Sequence, residues 1–296
     1  PIAGQVVDAA GAAPVPFATV GVRGQSLGSA ADAQGRFRFV LPASARADTL
    51  VFTCLGYQPA QVPVAAFGTD NARQVRLRAA PTQLAAVTIR PGRVKTKTFG
   101  RTGSSTFMTS RLYTEPDLVR GELGREQGTV LDIDPDCRLL DFNFFVAFNR
   151  FRRVTFRLNL YAVHEGRPAG SLLRQDVVFE VTQPRGWVRV DLRPYQLQLQ
   201  GHRQVAATLQ WLQSEALPDQ PKAFGVAAVP LPGSRILFRD KSQAPWREVS
   251  PGALSFYLTA DSYRPGRQTA APPAAPEYEL PDSLRYLAAA PPALPR

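Results

Sequence analysis

Histidine and cysteine are scarce in this chain of 296 residues, and their scarcity excludes several kinds of site. There are two histidines, His164 and His202, and two cysteines, Cys54 and Cys137. A zinc ion needs three or four nitrogen, sulfur or carboxylate ligands, and two cysteines alone cannot supply them. The cysteines lie in segments that we assign to different domains, so we predict free thiols rather than a disulfide.

Enzyme motifs are absent as well. His164 and Glu165 begin like the helical zinc-protease motif, but Pro168 stands at the fifth position and Gly166 makes the segment a turn. The sequence has no Gly-x-Ser-x-Gly elbow and no glycine-rich phosphate loop. We therefore predict a protein that is not an enzyme and that uses no cofactor. The enzymatic alternative is a small hydrolase with paired carboxylates, because two facing acids suffice for glycoside hydrolysis.

Lysine and long apolar runs are also rare. No run reaches the roughly 18 residues that a transmembrane helix requires, so we predict no transmembrane segment. The formal net charge of +11 comes mainly from arginine, since lysine occupies four of the 35 basic positions. The arginines are spread along the chain instead of being gathered on one helix or in one block, as a nucleic-acid-binding surface would require. We predict no nucleic-acid partner.

Short alternating strands, separated by glycine and proline turns, dominate the first 80 residues. The glycines suit turn positions with positive φ, and the apolar residues between them recur at every second position, which is typical of half-buried strands. This spacing predicts a small β-sandwich. The segments that define the pattern are Ile2-x-Gly4-x-Val6-x-Asp8, Pro16-Phe17-Ala18-x-Val20, Asp32-x-x-Gly35-x-Phe37 and Leu55-Gly56-Tyr57.

These four segments resemble the carboxypeptidase-regulatory-like domain, a prealbumin-like family. The resemblance implies a seven-stranded Greek-key sandwich over residues 1–80 that carries no chemistry of its own. Such domains begin many cell-envelope proteins of Bacteroidetes, including TonB-dependent outer-membrane receptors, so the resemblance also implies export. A chain that starts with proline rather than methionine is consistent with a removed signal peptide.

The rest of the chain divides by composition into three parts. Residues 81–120 are predicted to form a connector with a short strand at 87–89, residues 121–263 a larger β-domain, and residues 264–296 a mobile tail rich in Pro and Ala. The larger domain alternates strongly and lacks helical periodicity, which predicts a jelly-roll-like sandwich and an all-β protein. Three of its segments are similar to a module that often follows regulatory-like domains in exported Bacteroidetes proteins: Gly121-Glu122-x-Gly124, Phe156-Arg157-Leu158-Asn159-Leu160-Tyr161 and Gly186-Trp187-Val188. The alternating apolar positions include Phe142, Phe144, Val146, Phe148, Val154, Phe156, Leu158 and Leu160.

Aromatic rings are the candidate ligand-binding residues of the larger domain, because sugars stack on flat, rigid Trp and Tyr side chains. Trp246 lies in a polar turn and is the first candidate, and Tyr257 is the second. Trp211 ends an alternating strand and is the third. Plain packing is the competing interpretation for all three. We assign Trp187 to the core because it leads into an apolar strand.

Asp132, Asp134 and Asp136 alternate in an acidic segment and are the candidate calcium ligands. The spacing of an EF-hand loop is not met, since no Gly stands at the sixth position and no Glu at the twelfth. A solvated acidic turn, with Asp134 before Pro135, is the better explanation of the segment, and we predict no metal.

The sequence therefore predicts an exported, non-catalytic binding or scaffolding protein of a Gram-negative cell envelope. We expect it in the periplasm, in the outer membrane or at the cell surface, with an envelope protein or a polysaccharide as its partner. Association with an outer-membrane receptor or a surface assembly is implied by the family resemblance. The alternative is a carbohydrate-binding accessory protein with an exposed aromatic platform.

Overall fold

The computed structural model describes residues 1–67, 73–80, 92–113 and 123–265. Almost all regular structure in these residues is β-strand, joined by turns and short 3₁₀ segments at Ala43–Ala47, Val64–Ala66 and Arg193–Tyr195. The strands form two units, each built from two sheets with a core between them. The predicted all-β fold is confirmed.

The first unit is a sandwich of a three-stranded and a four-stranded sheet. The sheet orders are β4-β1-β7 and β3-β2-β5-β6, and β1 pairs with β7 in parallel. Alternation along β4 shows how the sequence builds it, since Phe37 and Phe39 are buried and Arg36 and Arg38 are exposed. The strands are Ile2–Asp8 (β1), Thr19–Val22 (β2), Gly28–Ala30 (β3), Arg36–Phe39 (β4), Thr49–Thr53 (β5), Ala60–Pro63 (β6) and Arg73–Leu77 (β7).

The second unit contains fifteen strands among the described residues. Three of them are long, with 13 or 14 residues each: β12 and β17 belong to one sheet and β11 to the other. The strands are Gly92–Gly100 (β8), Met108–Tyr113 (β9), Glu126–Asp132 (β10), Asp136–Asn149 (β11), Phe151–His164 (β12), Arg167–Ser171 (β13), Val177–Val181 (β14), Gly186–Asp191 (β15), Gln198–Gln200 (β16), Gln204–Ala216 (β17), Phe224–Val229 (β18), Ile236–Arg239 (β19), Arg247–Val249 (β20), Ala253–Leu254 (β21) and Phe256–Pro265 (β22).

These strands form a seven-stranded and an eight-stranded sheet. The order β13-β12-β17-β10-β19-β20, with β14 beside β12, makes the seven-stranded sheet. The order β21-β18-β11-β22-β8 makes the eight-stranded sheet, in which β15 and β16 also pair with β11 and β9 pairs with β18. The apolar faces of the two sheets enclose a core rich in phenylalanine, as the sequence alternation predicts.

Part of the predicted connector is instead an integral part of the second unit. Residues 92–100 pair with β22 over nine register positions, and residues 108–113 pair with β18. The reason for the difference is that β8 lies at the edge of its sheet and exposes polar side chains such as Lys95 and Thr98, so it lacks strong apolar alternation. The predicted strand at 87–89 and nearly all of the predicted tail lie outside the described residues.

The two units contact each other through specific hydrogen bonds. The Arg157 guanidinium of β12 donates to the carbonyl oxygen of Phe17 at 3.0 Å. The Gly24 amide donates to the carbonyl oxygen of Gln243 at 2.9 Å, and the Ser26 hydroxyl lies 3.1 Å from the Asp240 carboxylate. No helix in the described residues has the length and apolar character needed to cross a membrane.

Candidate functional site

The outer surface of the eight-stranded sheet carries a group of aromatic rings, which we call the aromatic face: Phe145, Phe148, Trp187 and Tyr257. Its position follows from register. Phe142 and Phe144 of β11 point into the core, so the residues that alternate with them point outward. Phe145 is opposite Trp187 of β15, and Tyr257 of β22 is opposite Asn143. Cross-strand partners share a face, so rings from three strands meet there.

Trp187 and Tyr257 form the exposed part of the aromatic face. Their ring centroids are 5.0 Å apart with an interplanar angle of 65°, and Trp187 also meets Phe145 at 5.3 Å in an edge-to-face arrangement. Both rings are partly exposed, whereas Phe145 is 9% exposed. The assignment of Trp187 to the core is therefore wrong. Its neighbours Gly186 and Val188 suggest an apolar strand, but pairing with Phe145 places its ring on the outer face.

Phe148 reaches the aromatic face because of an irregularity in β11. The register between β11 and β18 shifts between Val146 and Phe148, which breaks the alternation that begins at Phe142. The Phe148 ring then lies over Gly225, where a Cβ would stand 2.5 Å from two ring carbons. Arg111 of β9 is the next residue in this row, and its guanidinium carbon lies 5.9 Å from the Phe148 ring centre.

A polar group continues the same sheet surface beside the rings. Asp141 is 4% exposed, and one of its carboxylate oxygens accepts two hydrogen bonds from Arg189, at 3.1 and 2.8 Å. The other oxygen accepts from the Asn143 side-chain amide. The Arg189 side chain is 59% exposed, so the guanidinium is held in place and still faces solvent. The combination of flat rings and fixed donors suits a ligand with an apolar face and polar edges.

The three aromatic residues proposed from the sequence are not brought together. Trp246 lies against the other sheet, where its ring is 5.9 Å from Tyr161 and 4.4 Å from the guanidinium carbon of Arg239. Trp211 is 1% exposed and packs in the core beside Phe156 at 5.6 Å. Tyr257 is the one that contributes to the aromatic face.

The acidic segment is likewise dispersed. Asp132 accepts a hydrogen bond from Gln204 at 2.8 Å, and Asp134 forms an ion pair with Lys97. Asp136 lies at the start of β11, opposite Gln200. Within the described ranges, no group of three His, Cys, Asp or Glu side chains is arranged to hold a metal ion.

Glu126 lies in a buried polar network that no sequence motif predicts. Its carboxylate is fully buried and accepts two bonds from Arg239, at 2.8 and 2.6 Å, and one from Asn159 at 2.8 Å. Burial opposes ionisation of Glu126, but the Arg239 charge and the bonds from Thr208, Arg239 and Asn159 lower its pKa below the ordinary value. Burial and the nearby carboxylate raise the pKa of Tyr161. This carboxylate is ionised, paired and closed to solvent.

The sequence contains little that predicts the aromatic face or the Glu126–Arg239 pair. Trp187 and Tyr257 are 70 positions apart, and their contact depends on both strands pairing with β11. Glu126 and Arg239 are joined in the same way, because β10 pairs with β19 and places the two residues opposite each other. A Glu at the head of an apolar strand was the available hint for a buried ion pair.

Comparison with known proteins identifies the first unit alone. Two solved structures, of the Gt and Gx strains of infectious bursal disease virus, align at 10% identity with TM-scores of 0.27 and 0.25. Each alignment covers 82% of this chain and 57% or 59% of the viral chain, and a likeness this low supports no conclusion. No curated protein matches the sequence. Residues 2–89 match the family model of the CarboxypepD_reg-like domain, so the first unit is similar to a regulatory or binding domain that is not catalytic.

Proposed function

We propose that this protein is a non-catalytic binding or scaffolding protein of the cell envelope. It is exported to the periplasm, the outer membrane or the cell surface, and it holds an envelope protein or a polysaccharide, in association with an outer-membrane receptor or a surface assembly. The observation that supports a binding role is the aromatic face, where Trp187 and Tyr257 remain partly exposed beside the fixed Arg189 guanidinium. The regulatory or binding character of the domain matched at residues 2–89 agrees with it.

The same face favours a carbohydrate-binding accessory role as the second candidate function. Indole and phenol rings stack on the apolar faces of sugars, and neighbouring amide and guanidinium groups bond to hydroxyls. Trp187 supplies the ring and Arg189 the exposed donor group. A carboxylate-dependent hydrolase has less support, since Glu126, the most buried carboxylate of the described residues, is held by Arg239 and has no exposed surface.

Variants of two tryptophans test the proposed binding role. The full chain, carrying Trp187→Ala or Trp246→Ala, is compared with the unsubstituted protein in affinity gels that contain polysaccharides and in pull-downs from envelope fractions. We expect Trp187→Ala to lose its partner and Trp246→Ala to keep it, because Trp246 covers Arg239 on the other sheet. Equal retention by both variants contradicts a binding role for the aromatic face. If only Trp246→Ala loses retention, the binding surface lies on the seven-stranded sheet instead.

A further inference from the structure

The charges around the aromatic face are not balanced. Three acids on this surface of the sheet are each already paired with an arginine; the pairs are Asp141 with Arg189, Asp191 with Arg193, and Asp261 with Arg138. Arg111 and Arg185, by contrast, have no carboxylate partner among the residues that the structure describes. Both are exposed. The surface therefore carries two positive charges that no acid of the described residues neutralises.

Both unpaired arginines are positioned by the aromatic rings. The guanidinium carbon of Arg185 lies 5.9 Å from the ring centre of Phe145, and that of Arg111 lies 5.9 Å from the ring centre of Phe148. Contact with a ring face restrains a guanidinium without occupying its N–H donors. Those donors remain able to form paired hydrogen bonds with a carboxylate or a sulfate.

We propose that the ligand of the aromatic face is an anionic polysaccharide. This inference rests on the proposed binding function and names its ligand class. A sugar ring stacks on Trp187 or Tyr257, and the acidic groups along the polymer accept hydrogen bonds from Arg111 and Arg185. A polymer suits the arrangement because the two arginines flank the rings and are not gathered at one point, so successive acidic units reach them separately.

The overall charge of +11 requires a control for unspecific attraction, because any polyanion is drawn to a basic protein. Arg38 provides it. This residue lies on β4 of the first unit, is exposed and has no ion-pair partner in the described part of the chain. Replacing Arg38 removes one positive charge from a different sheet of the other unit, whereas replacing Arg111 or Arg185 removes one beside the aromatic rings.

The test measures retention of the full chain in affinity gels that contain polygalacturonate, dextran sulfate or neutral dextran, at physiological salt. We expect Arg111→Ala and Arg185→Ala each to weaken retention by polygalacturonate roughly tenfold, the equivalent of one charge-assisted contact. Arg38→Ala should bind as the unsubstituted protein does. Comparing retention by dextran sulfate with retention by polygalacturonate shows whether the arginines bind sulfate groups, carboxylate groups or both.

Several outcomes overturn the inference. If Arg38→Ala and Arg111→Ala lose retention equally, binding is due to the overall positive charge. If neutral dextran retains the protein as strongly as polygalacturonate does, the acidic groups are not recognised. If no polysaccharide is retained, the inference fails. The proposed binding function is then decided separately, by whether Trp187→Ala loses its partner from envelope fractions. Circular dichroism of each variant confirms that the fold is retained.

Discussion

At the scale of single residues, three ion pairs of the second unit each contain a buried side chain: Glu126 with Arg239, Arg157 with Asp176 and Asp141 with Arg189. Glu126 is the extreme case, with no exposed surface and with bonds to Arg239, Asn159 and Tyr161. A buried carboxylate is tolerated only when its partners replace the water that it loses. The contribution of the Glu126–Arg239 ion pair to stability is therefore measured by replacing one of the two residues.

Glu126→Gln should lower the free energy of unfolding by about 3–5 kcal/mol, because Arg239 would remain buried with no counter-charge. Urea unfolding measures it. Glu180→Gln is the control, since the Arg153–Glu180 pair is about half exposed and should contribute less than about 1 kcal/mol. Similar losses in the two variants would contradict a special role for the buried pair.

The acid sensitivity of the protein should depend on the same carboxylate. Because the folded state lowers the pKa of Glu126, its stabilising contribution is complete above the unfolded pKa of about 4.3 and is lost as pH falls through the lower folded value. The urea midpoint should thus fall in acid. The fall should be smaller in Glu126→Gln, and an unchanged pH profile in that variant would contradict the assignment.

At the scale of strands, close approach of backbones limits what side chains the second unit can accept. Gly128 lies in β10 between β17 and β19, and a Cβ there would stand 2.6 Å from the Cα of Thr208 and would overlap the carbonyl oxygen of Ala207. Backbone atoms in a paired strand cannot move aside cheaply. Gly170 in β13 has open space around its Cα instead.

Gly128→Ala should therefore destabilise the protein by about 1–3 kcal/mol, while Gly170→Ala should be neutral or slightly stabilising. Thermal unfolding of the two variants against the unsubstituted protein measures the difference. Equal melting temperatures for the pair would mean that β10 adjusts its position freely, contrary to the packing seen.

At the scale of the whole molecule, Arg157 links the two units. It is 5% exposed, it pairs with Asp176 of its own unit at 2.6 Å, and it donates to the Phe17 carbonyl oxygen of the first unit. Each unit contains one cysteine, Cys54 in the first and Cys137 in the second. Burial raises the pKa of Cys54 to about 11 and that of Cys137 to about 12, so both thiols should react slowly in the folded protein.

Thiol labelling at increasing urea concentration should show both cysteines reacting at one midpoint in the unsubstituted protein. In Arg157→Ala we expect Cys54 to become reactive at lower urea than Cys137, because the charge-assisted bond to Phe17, a contribution of roughly 1.5–3 kcal/mol, is lost. Arg153→Ala, on the same strand but paired with exposed acids, should leave the midpoints together. Coincident midpoints in Arg157→Ala would show that the other contacts suffice to join the units.

The sequence by itself determined the all-β class, the first sandwich and most of the second core, because alternation along one strand decides which side chains are buried. The alternation of Phe142 and Phe144 is of this kind. The sequence predicted a connector at the residues that form β8 and β9. An exposed edge strand has little apolar alternation, so these strands were not predicted.

Only the tertiary structure decided which distant strands pair, and the aromatic face, the Glu126–Arg239 pair and the contacts of Arg111 and Arg185 with the rings all depend on that choice. A shift of register in β11 moves Phe148 to the outer surface, and pairing with Phe145 does the same for Trp187. The physical reason is that strand periodicity sorts residues into two faces, whereas the partner across a strand is set by pairing between segments far apart in the chain.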